Sequence, residues 1–187
     1  MGLIERQFYF LGETFLYFKT VLTTAMTSFH KKEEIFQQTL QVIWQSMLTT
    51  AFAGFFVGAI MTLQFALQVQ IFSALSYLGG LVTSATVREV GPLLIAFLLS
   101  GKIGAFTSAE LGTMKVSEQI DAIRCLGADP IKEVIVPRFM GIIIASFFLL
   151  TVGLVCSFFG GVLMAGLFSG LPWEKYATHI PTVMTEF

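Results

Sequence analysis

The chain carries few charged residues for its length. Only 12% of its 187 residues are Asp, Glu, Lys or Arg, whereas 55% are hydrophobic. A soluble domain of this size needs more charge over its surface, so the composition argues for a membrane protein. The net charge of −1 comes without any basic patch, which argues against nucleic acid as a partner.

Residues typical of catalytic and metal sites are also scarce. His30 and His179 lie in flanking segments and form no Ser/His/Asp, Cys/His or metal-ligand series. Cys125 and Cys156 lack metal-ligand spacing, and we interpret both as small apolar residues. The chain contains no Walker A sequence, so we expect a non-enzymatic protein whose energy comes from a partner.

Long uncharged runs predict about three transmembrane helices. No charged residue occurs from Ile35 to Val87, and Ile43–Leu67 is the best first span, because a bilayer core takes about 20 helical residues. Gln68–Thr86 is interpreted as a helix extension followed by an uncharged turn.

The second span is expected to start near Val87 and to end near Ser108. The third uncharged run, Phe139–Trp173, is longer than one crossing needs, and the sequence Gly170-Leu171-Pro172 should end it. We therefore predict an all-α membrane protein, with residues 35–187 forming one transmembrane domain.

The placement of basic residues predicts the orientation of these spans. Lys and Arg precede the first span and lie between the second and third, whereas the connection after the first span has none until Arg88. The positive-inside rule then places the N-terminus and the loop 109–138 in the cytoplasm.

The first 29 residues show helical periodicity with interspersed charge. Apolar residues recur at helical spacing at Leu3, Ile4, Phe8, Leu11, Phe15, Phe18 and Leu22. An amphipathic helix lying in the membrane interface fits this pattern, and residues 1–34 would then be that helix with a cytoplasmic linker. A transmembrane span is the alternative, although it would place Glu13 and Lys19 deep in lipid.

The loop 109–138 has the local signals of a short amphipathic helix. Ser117 is a candidate N-cap, and Glu118 and Asp121 place negative charge in the first turn. The C-terminal end of this helix is indicated by Arg124 in the last turn, Gly127 as a candidate C′ residue and Pro130 beyond it. Val116, Ile120 and Ile123 would form one apolar stripe.

The order of motifs around this loop resembles a known family. Asp121-Ala122, Leu126-Gly127-Ala128 and Val136-Pro137 resemble the EAA loop, with which permeases of ABC transporters dock on their ATPase. The wider series resembles the MlaE/YrbE-type permease family; it comprises Arg88-Glu89-x-Gly91-Pro92, Ala109-Glu110-Leu111-Gly112, Glu118-Gln119-Ile120-Asp121-Ala122, Asp129-Pro130 and Val136-Pro137-Arg138.

The resemblance implies a lipid transporter subunit. It implies two copies of the chain, a cytoplasmic ABC ATPase that binds ATP and Mg, a periplasmic MCE-domain protein and a phospholipid substrate, in the bacterial inner membrane. The chain itself would hold no cofactor. Family members have about five spans, so the sequence, which stops at Thr185-Glu186-Phe187, is expected to be C-terminally truncated.

Two sets of candidate site residues follow. The lipid-binding set comprises Val57, Met61, Gln64, Phe65, Gln68, Arg88 and Glu89. The ATPase-coupling set comprises Glu110, Met114, Lys115, Glu118, Asp121, Ala122, Arg124, Gly127, Asp129 and Pro130.

Several of these features have a structural alternative. Two helix faces carry amides, one with Gln38, Gln41 and Gln45 and one with Gln64 and Gln68, and each is either a helix–helix contact or cavity lining. Gly54-x-x-x-Gly58 is either intrachain packing or a dimer seam. The pair Arg88-Glu89, at the non-cytoplasmic end of the second span, is either a snorkelling Arg beside an interfacial acid or a phosphate contact.

Two charges near the inner end of the second span have further alternatives. Lys102 is expected to snorkel to cytoplasmic headgroups, and Glu110 either braces the loop or carries protons. Two other functions remain open for the whole chain. One is an ABC permease for a small polar solute, and the other is a non-transporting membrane scaffold.

Overall fold

The computed structural model describes residues 3–27, 32–71 and 78–170, together with Glu174 and Tyr176. All regular structure within these residues is helical, which confirms the all-α prediction. The α-helices of these ranges are α1 (Leu3–Thr27), α2 (Lys32–Ile71), α3 (Leu78–Ala85), α4 (Gly91–Val116), α5 (Gln119–Cys125) and α6 (Val136–Ser169). Predictions that concern His30, Ser73, Ser76, Pro172 and His179 lie outside the described residues.

Within the described part of the chain, three helical stretches are long and apolar enough to cross a membrane, as the uncharged runs predict. They are Lys32–Ile71, Leu78–Val116 and Ile131–Phe168. Each has about 40 residues and is therefore about 60 Å long, twice the thickness of a hydrocarbon core. The protein is therefore an all-α membrane protein whose spans extend beyond the hydrocarbon.

The start of the second span differs from the prediction. The stretch Leu78–Thr86, expected to be a turn, is helical and joins α4 through a π-helical turn at Thr86–Val90. Gly79 and Gly80 suggest a turn by composition, but both are buried within α3. Gly79 lies against the backbone of Tyr176, so its missing side chain serves close packing rather than a turn.

One compact unit comprises residues 43–105 and 146–187, and glycines hold its helices together. Gly54 and Gly58 of α2 lie directly against the backbone of Gly153 and Ser157 of α6. Because both contacts advance by one helical turn, the two helices run in the same direction. Intrachain packing is therefore confirmed for the Gly54–Gly58 motif.

Helix α4 runs opposite to α6 in the same unit. Gly91 lies against the side chain of Leu154, and Ile95 lies against Gly153. Near the C-terminal end of α2, buried apolar residues of this unit form a cluster. It contains Ala66, Leu78, Val82, Ala165 and Tyr176.

The other compact unit comprises residues 1–42 and 106–145. Here α1 packs through its second half, where Val21 and Ala25 are buried and the ring of Phe18 meets that of Phe139 edge-on at 6.5 Å between centroids. Residues 8–20 are exposed, and α1 is not among the helices apolar enough to cross a membrane. The location of α1 in the membrane interface stays a prediction.

The glycine contacts make a direct prediction for stability. Gly58→Ala places a Cβ against the backbone of Ser157 and should lower the free energy of unfolding by ~2 kcal/mol, as overpacking does. Gly104→Ala is the matched control, because Gly104 lies in α4 with open space around it. Thermal unfolding in detergent should show a lower Tm for Gly58→Ala only; equal Tm values for both variants would contradict the packing described.

Candidate functional site

The loop between the second and third spans begins with a sharp turn after α4. Glu118 has a φ of 57°, in the left-handed region, and occupies the N-cap position of α5. The Ser117 hydroxyl instead donates to the Thr113 carbonyl oxygen of α4, at 2.8 Å. The prediction of Ser117 as the N-cap is therefore wrong, because its side chain completes the preceding helix.

Ion pairs fix the start of α5 to the end of α4. The Lys115 ammonium lies 2.9 Å from Asp121 Oδ2, and Arg124 Nη1 lies 3.5 Å from Asp121 Oδ1. The hydrogen bond and charge of Lys115, and less so the charge of Arg124, hold the pKa of Asp121 below its ordinary value of 3.8. Because this pKa is lowered, the pair stabilises the loop at neutral pH and is lost only as pH falls through the lowered value.

The end of α5 follows the sequence prediction. Gly127 has a φ of 75°, and its N–H donates to the Arg124 carbonyl oxygen at 2.9 Å. The N–H of Ala128 donates to the Ile123 carbonyl oxygen at 3.2 Å. These bonds satisfy carbonyl groups that the helix leaves open, and the left-handed conformation explains the need for glycine.

The predicted apolar stripe of α5 is only partly present. Ile120 and Ile123 are half-buried, but Val116 ends α4 and is 87% exposed. The turn at Ser117 and Glu118 breaks the helical spacing, so Val116 does not share their face. No residue of α5 is buried, and Ala122 is exposed at its surface.

Asp129 and Pro130 begin the last helical stretch. Asp129 Oδ1 accepts a hydrogen bond from the N–H of Ile131 at 3.0 Å, and the Glu133 N–H donates to the Asp129 carbonyl oxygen. Pro130 follows at the first helical position, where its missing N–H costs nothing. The sequence prediction uses Pro130 only as the stop signal for α5 and misses this helix start.

A buried ion pair joins the end of α4 to the start of α6. Arg138 Nη2 lies 2.9 Å from Glu110 Oε1, and the exposed fractions of the two side chains are 7% and 32%. This contact favours the bracing role for Glu110. Sequence reasoning includes Arg138 in a motif but misses it as a site residue, since only the fold brings it to Glu110.

The pair lines a cavity of about 520 Å³ beside α5. The walls come from the start of α2, the end of α4, the start of α5 and the start of α6, and they include Met114. The polar wall residues are Glu34, Gln37, Gln38, Glu110, Thr113, Gln119, Glu133 and Arg138.

In the other unit, Arg88 and Glu89 lie in the π-helical turn, and both side chains are exposed. They precede Gly91, which packs against Leu154 near the middle of α6. The pair lies about three helical turns after Leu78, in the first third of the helical stretch Leu78–Val116. Its place at the non-cytoplasmic end of the second span stays a prediction.

The remaining candidate lipid residues lie along α2. Gln64 and Gln68 are exposed, and Val57 is half-buried. Met61 and Phe65 pack against the buried cluster around Leu78, so part of their surface serves the chain's own fold. Their role in lipid binding stays a prediction.

Lys102 does not reach toward headgroups. Its ammonium donates to the Gln45 carbonyl oxygen at 2.7 Å and to Thr49 Oγ1 at 2.6 Å, both on α2. The snorkelling prediction is wrong, because two oxygens of α2 lie within hydrogen-bond distance of the ammonium. Lys102 thereby links α4 to α2.

This arrangement, with three candidate spans and an exposed helical loop between the second and third, has the architecture of a permease subunit. The sequence profile described as Permease MlaE matches residues 35–186. The chain belongs to the MlaE permease family, which confirms the resemblance seen in the sequence.

Individual relatives agree with this membership. A probable ABC transporter permease protein of Rickettsia conorii is 37% identical over 130 residues, which cover 70% of this chain and 50% of the relative. The intermembrane phospholipid transport system permease protein MlaE of Haemophilus influenzae is 35% identical over 134 residues, or 70% of this chain and 51% of the relative.

A plant protein is also similar. Protein TRIGALACTOSYLDIACYLGLYCEROL 1, chloroplastic, of Arabidopsis thaliana is 40% identical over 106 residues, which cover 54% of this chain and 30% of the relative. The chain spans about half the length of the bacterial relatives it matches.

The buried ion pair yields a stability prediction. Glu110→Gln leaves Arg138 buried without its countercharge and should lower the free energy of unfolding by ~2 kcal/mol, less than for a fully buried pair because Glu110 is partly exposed. Asp121→Asn breaks an exposed pair and should change stability little. Chemical denaturation of the two variants in detergent measures the difference; equal midpoints would contradict the bracing role.

Proposed function

We propose that this chain is the permease subunit of an ABC transporter that moves phospholipid between the inner membrane and a periplasmic MCE-type partner. A separate cytoplasmic ATPase binds ATP and Mg and supplies the energy. Two copies of the chain form the transport cavity. The name of the Haemophilus influenzae relative, an intermembrane phospholipid transport permease, supports this substrate class.

The observation that carries the proposal is the exposed pair Arg88 and Glu89 within the apolar helical stretch Leu78–Val116. Charged side chains facing hydrocarbon are costly, so intramembrane charges face a protein interior or a wet cavity. The surface that bears the pair is therefore a cavity wall, and a second copy of the chain encloses it.

The chemistry of this wall suits a phospholipid. The planar guanidinium of Arg88 matches the geometry of a phosphate group, and Glu89 orients it. The π-helical turn changes the direction in which these side chains leave the helix, and π-turns are frequent at functional sites. The amides of Gln64 and Gln68 add hydrogen-bonding groups, and Val57, Met61 and Phe65 supply apolar surface for acyl chains.

The loop at residues 110–130 is the docking element for the ATPase. Its helix α5 has no buried residue, and its exposed side chains are available to a partner. The ion pairs of Asp121 and the turn at Gly127 fix its shape before binding, which lowers the entropy cost of docking. Its Lys and Arg residues support a cytoplasmic location by the positive-inside rule.

Two variants separate cargo binding from docking. Arg88→Ala removes the phosphate contact and should remove the phospholipid bound at this wall and lower lipid transfer at least tenfold, while ATPase capture stays normal. Glu118→Lys changes an exposed residue of the docking loop and should reduce ATPase capture, while bound phospholipid stays normal. The measurement is native mass spectrometry of the full-length protein, gently purified with its co-expressed neighbours.

The wild-type protein should carry phospholipid and one ATPase per permease. A small polar solute in place of lipid would favour the other kind of permease. A chain with neither lipid nor ATPase would contradict the proposal and favour a membrane scaffold.

A further inference from the structure

The cavity beside α5 has chemistry that the proposed transport function does not use. It lies in the unit formed by residues 1–42 and 106–145, and it combines one guanidinium with the carboxylates of Glu34, Glu110 and Glu133. Its volume of about 520 Å³ is within the range of small-molecule sites.

The ion pair in its wall makes one of the two hydrogen bonds that a guanidinium and a carboxylate can form. Arg138 Nη2 contacts Glu110 Oε1 at 2.9 Å, whereas Arg138 Nη1 and Glu110 Oε2 are buried and have no hydrogen-bond partner among the described residues. The Arg138 side chain is also among the most buried polar groups of the chain. This leaves one charged donor and one charged acceptor that a guest able to both accept and donate would satisfy.

The position of the cavity relative to the membrane–water interface indicates which kind of molecule it binds. Glu34 immediately precedes the uncharged run that starts at Ile35, and Arg138 immediately precedes the uncharged run that starts at Phe139. Both boundaries, together with Glu110, meet in the walls of this cavity. A change from charged to apolar side chains marks the membrane–water interface, which is where phospholipid headgroups lie.

We propose that this cavity binds the headgroup of a zwitterionic phospholipid with a primary ammonium, of the phosphatidylethanolamine type, from the leaflet that adjoins the docking loop. The phosphate accepts a hydrogen bond from Arg138 Nη1, and the ammonium donates to Glu110 Oε2. The carboxylates of the wall disfavour an anionic headgroup such as phosphatidylglycerol. A choline headgroup has no N–H to donate and binds less well.

This site is separate from the cavity wall at Arg88, which belongs to the other compact unit. Headgroup binding beside α5 therefore does not depend on whether the chain transports lipid. To count only the new site, binding is measured in the Arg88→Ala background, in which the proposed cargo site is disabled.

The test uses variants in which a larger side chain at an exposed position fills the cavity. Thr113→Phe places a ring in the cavity from α4, where Thr113 is exposed and its hydroxyl donates back to the Ala109 carbonyl oxygen. Thr14→Phe is the matched control, because Thr14 is exposed on α1 and makes the same kind of hydrogen bond to Phe10. Gln37→Phe, from an exposed cavity residue of α2, is a second filling variant should Thr113→Phe not fold.

Full-length protein in detergent is titrated with phosphatidylethanolamine, phosphatidylcholine and phosphatidylglycerol, and bound lipid is counted by native mass spectrometry. We expect one phosphatidylethanolamine per chain, bound at least tenfold more tightly than the other two lipids. The filling variants should lose this preference and the control should keep it. Equal binding of the three lipids, or an unchanged preference in the filling variants, would overturn the proposal and leave a cavity filled by water alone.

Discussion

Hydrocarbon offers no hydrogen-bond partner, and this constraint shapes the membrane-spanning helices of the chain. It makes the spans helical, because a helix satisfies its own backbone. It also explains Lys102, whose ammonium bonds to the Gln45 carbonyl and the Thr49 hydroxyl of the neighbouring helix instead of facing lipid. Since apolar side chains gain little by contacting each other in lipid, the helices associate through close backbone packing at Gly54 and Gly58.

The two compact units meet this constraint in different ways, and the difference separates their roles. The unit of residues 1–42 and 106–145 is stabilised by ion pairs, a capping aspartate and left-handed turns. Such interactions are typical of a surface in contact with water. Residues 43–105 and 146–187 use small residues and buried apolar side chains. Lys102 of the second unit bonds to α2, whereas the side chains of Arg88 and Glu89 are exposed, which makes this pair the best candidate for cargo binding.

The sequence predicts the spans well, because a long uncharged run is hard to accommodate anywhere but in a membrane, and the motif series identifies the family on residues scattered over the chain. The turn at Gly127 is also predictable, because a local signal determines a local conformation. The errors concern residues whose partners are distant or whose composition misleads. Gly79 indicates a turn until Tyr176 is known to lie against it, and no local pattern shows that Glu110 meets Arg138. Ser117 satisfies a cap pattern, but its hydroxyl bonds the preceding helix.

The proposed transport function requires that the turn bearing Arg88 and Glu89 face a polar cavity within the second span. Cysteine labelling tests this directly, after the native Cys125 and Cys156 are replaced by Ser and Ala. Glu89→Cys should react with a water-soluble maleimide in the reconstituted full-length protein, because its thiol meets water. Phe97→Cys, from an 81% exposed apolar position on α4, should stay unreactive because it faces lipid. If position 89 is as unreactive as position 97, the turn faces lipid, which contradicts a cavity at this level.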